Sequence, residues 1–222
     1  MPELMPNNSE LQKRRNTILF INATQEVIEE EGLENISIRK IAQKAGFHNS
    51  TIYLYFKDLD QLTMLASMKY FQEYSQMLEV QSQKEATPAE NFMAIWDFFC
   101  DAIMKKPHIF YNFFFGKRSN DLRETINMYY DIFPAELKSF SADIEIMYFG
   151  KNIIERSLKL LPPLIPEDNH ITEDNLDMLN EIIVSYCKYK LEEKCQNENL
   201  DSKKLKDDFL NAISYITGIK RR

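Results

Sequence analysis

The chain has 222 residues, enough to bury a sizeable core, and 44% apolar content with only five glycines suits long helices rather than a loop-rich scaffold. A net charge of −7 excludes a broadly basic nucleic-acid coat, so any affinity for DNA has to come from local clustering of cations. No run approaches the ~18 apolar residues of a membrane span, and the opening MPELMPNNSE has neither the charged nor the apolar region of a secretory signal, which points to a cytoplasmic protein.

Residues 1–9 read as disordered. A helix is expected from about Glu10 to Glu31, with Phe20, Ala23, Thr24 and Val27 at helical spacing and Gly32 as its stop. Within residues 1–60, seven Lys and Arg stand against nine Asp and Glu, a balance of −2. The bases Lys13, Arg14, Arg15, Arg39, Lys40, Lys44 and Lys57 are nevertheless separate from the run Glu29, Glu30, Glu31 and Glu34, which leaves room for a basic face on an acidic protein.

The stretch Ser37 to Lys57, SIRKIAQKAGFHNSTIYLYFK, reads as two short helices joined by a glycine turn. Ile38, Ile41, Ala42 and Ala45 fall on one apolar face of a helix that Ser37 can cap and Gly46 can stop. A second helix is expected from about Asn49 to Phe56, with Ile52 and Phe56 four apart for the core and Thr51, Tyr53, Leu54 and Tyr55 on other faces. This is the pattern of a helix-turn-helix, whose second helix lies in the DNA major groove.

Candidate contacts divide by chemistry. Asn49, Ser50 and Thr51 carry amide and hydroxyl groups able to read base edges. Tyr53, Tyr55 and Lys57 offer groups for phosphates, the contacts that position rather than specify. Arg39 and Lys40 occupy a helix's first turn, where the macrodipole disfavours a cation by roughly a few tenths of a kcal/mol and a phosphate would reverse the sign. The orphan amides after Ser37 would complete an anion site there. Solvated charge is the structural alternative for Arg39, Lys40 and Lys57, and aromatic packing for the two tyrosines.

Ile38-Arg39-Lys40-Ile41-Ala42, Ala45-Gly46-Phe47, Thr51-Ile52-Tyr53, Tyr55-Phe56-Lys57 and Leu62 strongly resemble the DNA-binding domain of TetR-family transcriptional regulators, and the likeness covers roughly residues 10–65. The resemblance implies a three-helix head followed by an all-helical body for ligand binding and dimerisation, and it places Lys13, Arg14 and Arg15 near the DNA backbone. Two positions depart from the family pattern. His48 stands where Ser or Thr usually caps, which shifts the expected cap to Asn49, and Leu54 stands where His is common.

Beyond the head, Asp58 with Gln61 forms a capping-box pattern for a long helix from Leu59 to about Gln83, the lever between head and body. Gln83 to Thr87 reads as a polar joint, and Thr87-Pro88-Ala89-Glu90 opens a helix to about Lys105 whose Phe92, Ile95, Trp96, Phe99 and Ile103 form one stripe. Pro107 starts a short helix, His108 to Phe115, that is apolar on nearly every side. Such a helix is buried, either as core or as the wall of an apolar pocket, for which Trp96, Phe99, Ile103, Phe110, Phe114 and Tyr129 are the candidates.

Ser119 is expected to cap a helix to Phe133, and another helix runs mainly from Ser141 to Leu161, followed by an exposed loop to His170. Thr172 then caps a helix lined by Leu176, Leu179, Ile183 and Tyr186, and a last one spans Asp201 to Thr217. Two terminal amphipathic helices suit an isologous four-helix contact in a homodimer, or inward packing in a monomer. The three cysteines are scattered and read as buried or incidental thiols.

The expected fold is all-α, with a disordered start over 1–9, a helix-turn-helix domain over 10–60 and a helical ligand-binding and dimerisation domain over 61–222. No G-x-S-x-G, H-E-x-x-H or C-x-x-C occurs, and Gly116-Lys117 lacks the rest of a phosphate loop, so neither catalytic nor metal-binding residues, nor a cofactor, are expected. The function expected is a dimeric repressor that binds a palindromic DNA operator and is released by a small hydrophobic or amphipathic effector. The alternative is a helical adaptor or carrier whose DNA-binding head is vestigial. Salt-dependent duplex binding separates the two.

Overall fold

The structure, a computed structural model, describes residues 8–82, 86–137 and 148–221, and among these every regular element is helical. They fall into two compact units. One holds the chain up to Lys69 together with Thr125–Leu137; the other holds Tyr70–Glu124 and the described residues after Leu137.

In the first unit, α1 (Asn8–Glu31) buries Phe20, Ile21, Ala23, Thr24, Val27 and Ile28 along one face. The Thr17 and Thr24 hydroxyls donate back to the carbonyls of Lys13 and Phe20 at 2.9 and 2.7 Å, so neither is left unpaired in the apolar face. Gly32, at φ 84°, ends the helix.

The next helix, α2 (Ile38–Ala45), starts as its sequence implies: the Ser37 hydroxyl accepts from the Lys40 amide at 3.4 Å. It ends in a Schellman motif. The Phe47 amide donates to Ala42 O at 2.9 Å and the Gly46 amide to Gln43 O at 3.3 Å, with Gly46 at φ 75°. The Phe47 ring then lands on Phe20, centroids 4.8 Å apart, and this closes the turn onto α1.

Long α3 (Leu59–Ser82) begins with Asp58 accepting from the Gln61 amide at 2.9 Å. Gln61 reaches back to the Lys57 amide at 2.8 Å, one residue further than the expected capping box.

The second unit contains α4 (Pro88–Lys105), α5 (Pro107–Phe115), the start of α6 (Leu122–Ile132), α7 (Ile153–Leu158), α8 (Leu176–Gln196) and α9 (Ser202–Thr217). The Thr87–Glu90 capping box forms as the sequence proposes, at 2.9 and 3.3 Å. Helices α4, α5, α8 and α9 pack together. Their core is dense in rings: Trp96 lies 5.3 Å from Phe209, Phe99 lies 5.2 Å from Phe114, and Phe71 of α3 lies 5.3 Å from Phe113.

Four expectations need correction. The helix expected over Ser141 to Leu161 falls outside the described residues as far as 147, and beyond that it is not continuous. The chain leaves helical form at Phe149–Asn152 and restarts at α7, where Asn152 accepts from the Glu155 amide at 3.0 Å and Glu155 from the Lys151 amide at 2.9 Å. Ser119 is no cap; it opens a 3-10 turn, Ser119–Asp121, pinned by an Arg118–Asp121 ion pair at 2.8 Å.

The segment after Leu161 is not simply an exposed loop. A 3-10 turn at Pro162–Leu164 buries Leu164 completely, and the His170 amide donates to Thr217 O at 2.8 Å. Finally, Thr172 caps as expected, the Asn175 side chain accepting from its amide at 2.9 Å, but the first turn, Glu173–Asn175, is 3-10 rather than α. Residues 1–7 of the expected disordered start and 83–85 of the polar joint lie outside the described residues.

Candidate nucleic-acid interface

The recognition element is a 3-10 helix, Asn49–Leu54, rather than the α-helix to Phe56 that the spacing predicts. Its i to i+3 pattern is visible in Thr51 N to His48 O (2.9 Å) and Tyr55 N to Ile52 O (3.0 Å). Ile52 is the wholly buried residue of this segment and plugs it onto the unit's core. The opposite surface is open: Tyr53 is 59% and Leu54 72% exposed, and His48, Asn49 and Ser50 are exposed with them.

His48, not Asn49, is the cap. Its Nδ1 accepts from the Ser50 amide at 3.4 Å and lies 2.9 Å from Ser50 Oγ. An imidazole nitrogen can replace the usual hydroxyl as acceptor, and the exchange leaves the Asn49 side chain out of capping. Asn49 is therefore presented outward with the rest of the segment.

The two tyrosines differ. Tyr53 stands on the surface, whereas the Tyr55 ring packs 5.6 Å from Phe20 and its hydroxyl accepts from Asn16 Nδ2 at 2.7 Å. Asn16 in turn accepts from Gln12 at 2.9 Å. A phenol that accepts one bond still has its own proton to donate, so Tyr55 is oriented by α1 for an outward acceptor. Asn16 was not among the sequence candidates; the only signal was a polar pair, Gln12 and Asn16, one turn apart.

The bases are sorted by the acidic stretch of α1. Lys40 pairs with Glu31 and donates to Asn35 O at 2.8 Å, Lys44 pairs with Glu30 at 2.7 Å and Glu26 at 3.3 Å, and Lys69 pairs with Glu29. Glu30 holds the Lys44 ammonium above its usual range, first through a hydrogen bond. Arg14 donates to Ile132 O at 2.8 Å, the C-terminal end of α6, where helix carbonyls favour a cation. Lys13, Arg15 and Arg39 are exposed and enter no ion pair among the described residues, and Lys57 is exposed beside the recognition segment.

The sorting yields an expected result. Arg39→Ala should flatten the slope of log affinity against log salt by about 0.9, one phosphate's worth. Lys40→Ala, whose ammonium already has carboxylate and carbonyl partners, should leave the slope within error. Fluorescence anisotropy on one labelled duplex across a salt series reads both.

With this geometry in view, the family model for bacterial regulatory proteins of the tetR family matches residues 20–63, from the middle of α1 through the recognition segment into α3. This chain carries the TetR-family DNA-binding domain. The fatty acid metabolism regulator protein of Bacillus subtilis (strain 168) is 31% identical over 84 residues, 38% of this chain and 43% of that protein. The chain spans no more than half the length of the curated relatives it matches.

Two solved structures extend the likeness to the whole fold. RolR in complex with resorcinol has a TM-score of 0.61 at 15% identity, covering 95% of this chain and 91% of that one. FadR from Bacillus subtilis in complex with stearoyl-CoA has 0.54 at 21%, covering 91% and 99%. The TetR-type architecture, a helix-turn-helix head on an all-helical body, is thus that of this chain.

The six aromatic and apolar pocket candidates separate in the structure. Trp96 and Phe99 line a cavity of about 20 Å³ in the second unit together with Tyr74, Ile95, Ile153 and Arg156. Ile103, Phe110 and Phe114 are buried around it as core, with Phe110 and Phe114 stacked at 6.1 Å. Tyr129 does not belong with them. It sits in the first unit, its hydroxyl on Glu136 at 2.6 Å and its ring against Tyr130 and Phe133 at 5.6 and 4.8 Å. Tyr74, Ile153, Arg156, Ser157 and Leu160 also line the cavity and were absent from the sequence candidates; Arg156 is the charged one.

Proposed function

We propose that this protein is a dimeric TetR-type repressor that binds a two-fold symmetric operator and lets go when a small hydrophobic or amphipathic effector occupies the second unit. The observation that carries the reading is the outward face of the recognition segment, fixed by Ile52 beneath it, with Lys57 exposed three residues after it and Arg39 exposed on α2. Asn49, Ser50 and Thr51 read bases, and Arg39, Tyr53, Tyr55 and Lys57 hold phosphates. Lys40, committed to Glu31, acts within the head rather than on the duplex.

Dimerisation through α8 and α9 is supported by exposed apolar side chains on both. Met178, Ile182 and Tyr189 share a face of α8, and Tyr215 of α9 is 84% exposed. The effector class is supported by the relatives that bind stearoyl-CoA and resorcinol. Release requires differential affinity: the effector must bind better to a state whose two recognition segments no longer match adjacent major grooves.

Selection of bound duplexes from a random pool tests the reading. Two half-sites related by a dyad and about one helical turn, or a multiple of it, apart are expected. A pool that stays random, or binding indifferent to salt, would overturn it. Asn49→Ala should then relax preference at one position per half-site by about 1 to 3 kcal/mol; equal loss on every sequence would assign Asn49 to positioning instead.

A further inference from the structure

Arg156, on the short helix α7, is 3% exposed, and no ion pair engages it among the described residues. Its Nη1 donates to Tyr148 O at 2.8 Å, it interacts with the Tyr74 hydroxyl, and its guanidinium lies over the Phe71 and Phe114 rings at 4.9 and 5.9 Å. Burial lowers its pKa, yet arginine keeps its proton, so the cavity wall carries a full positive charge that, among the described residues, is answered by neutral groups. Burial likewise pushes the Tyr74 phenol up to about 12, so Tyr74 supplies no counter-charge.

The second polar group of the wall points the same way. Trp96 is 3% exposed, and its Nε1 has no hydrogen-bond acceptor among the described residues. A buried indole N–H is a donor only, and a guanidinium holds five donors and no acceptor. Ring stacking offsets part of the cost of the cation, but an unanswered buried donor remains unfavourable. Ser157 also lines the cavity, but its hydroxyl already donates to Asn180 Oδ1, so the unanswered polar groups of the wall are donors, set among Ile95, Phe99, Ile153 and Leu160.

We propose that Arg156 and the Trp96 N–H receive the carboxylate of an amphipathic effector whose apolar body lies among the surrounding rings. This deepens the reading of the second unit as an effector-binding body and rests on it. The cavity, about 20 Å³, holds little more than one water. Entry thus demands that the walls part, and the closed form carries the uncompensated charge that the ligand neutralises. The ligand stabilises the opened state because that state alone admits it, which is the differential binding that release from DNA requires.

Trp96 is the chain's single tryptophan, so its fluorescence reports on this wall. The full-length protein is titrated with octanoate, 1-octanol and octylammonium, which share a chain and differ in charge, and with acetate, which has the head alone. Octanoate should perturb Trp96 saturably, about tenfold or more tighter than octanol, with octylammonium weaker still and acetate without effect. Arg156→Met should fold, melting no lower than the parent, because it removes a buried unpaired charge from an apolar site, and should abolish the preference for octanoate over octanol. Arg156→Lys should retain part of it.

Equal binding of octanoate and octanol, tighter octylammonium, a preference that survives in Arg156→Met, or silence of Trp96 to all four probes would overturn the assignment. An acetate response equal to octanoate's would do so as well, since it makes the site one for free anions. The same titrations on the operator complex separate this proposal from the repressor reading. Release by octanol as readily as by octanoate removes Arg156 and leaves the repressor; charge-selective binding in a protein without affinity for duplex DNA does the reverse.

Discussion

Replacing Phe20 by alanine should cost about 3 to 5 kcal/mol and abolish operator binding. The ring is wholly buried on α1 and meets three others, Phe47 at 4.8 Å, Tyr55 at 5.6 Å and Phe56 edge-on at 6.1 Å. Those three residues flank the recognition segment, Phe47 before its cap and Tyr55 and Phe56 after its last residue. Removing the ring loses burial and also the surface against which that segment is seated, so the exposed contacts of Asn49 to Tyr53 lose their common frame. Thermal melting followed by circular dichroism, with duplex binding below the transition, checks both parts. Retention of parental affinity in the folded fraction would show that α2 and the Schellman turn suffice to place the segment. Leu19→Ala, on an exposed position of the same helix, serves as the control and should change melting little.

The second large effect concerns Phe99. It is 3% exposed and packs against Tyr74, Trp96 and Phe114 at 5.6, 5.5 and 5.2 Å. With only about 20 Å³ open beside it, the ring is core in this closed form, and Phe99→Ala should cost about 3 to 5 kcal/mol. The deletion also enlarges the cavity from within. Octanoate should then recover more melting temperature in Phe99→Ala than in the parent, because a ligand that fills the added space binds the native state alone. An equal rise in both proteins would show that the cavity collapses on truncation. A melting point close to the parent's would contradict the packing itself.

Much of the head was legible because its signals are local. Ser37, Gly46 and the Ile41–Ala42 face each act within one helical turn, and each does in the structure what its chemistry implies. The conformation of Asn49–Leu54 was not legible, since a six-residue segment with Ile52 as its buried anchor satisfies an α or a 3-10 spacing equally well. His48 was misread because imidazole is rarely counted as a cap, although it has the lone pair a cap needs.

In the second unit the apolar stripes found the core but not its boundaries. The Asn152-x-x-Glu155 cap pattern is present in the sequence, but apolar residues stand on both sides of it, so it does not mark itself as a helix start. Tyr129 falls on an apolar line with Leu122, Ile126 and Phe133, yet spacing along α6 says nothing of which unit that line serves. Arg156 was invisible for the opposite reason: a lone arginine in a helix is ordinarily solvated, and only the fold puts Phe71 and Phe114 beneath it.

The acidic stretch of α1, which ties up Lys40, Lys44 and Lys69, also shapes how the head meets a duplex. Glu26 and Glu29–Glu31 against those three lysines leave a small negative excess, while Lys13, Arg15 and Arg39 enter no ion pair among the described residues, and this amounts to a dipole across one small unit. In the field of a polyanion such a dipole feels a torque, so the head turns its reading surface inward before contact and is repelled when it arrives the other way round. Few phosphates are then engaged at a chance site, and residence there is short. On the repressor reading, a protein of net charge −7 would in this way be kept from lingering at chance sites on duplex DNA.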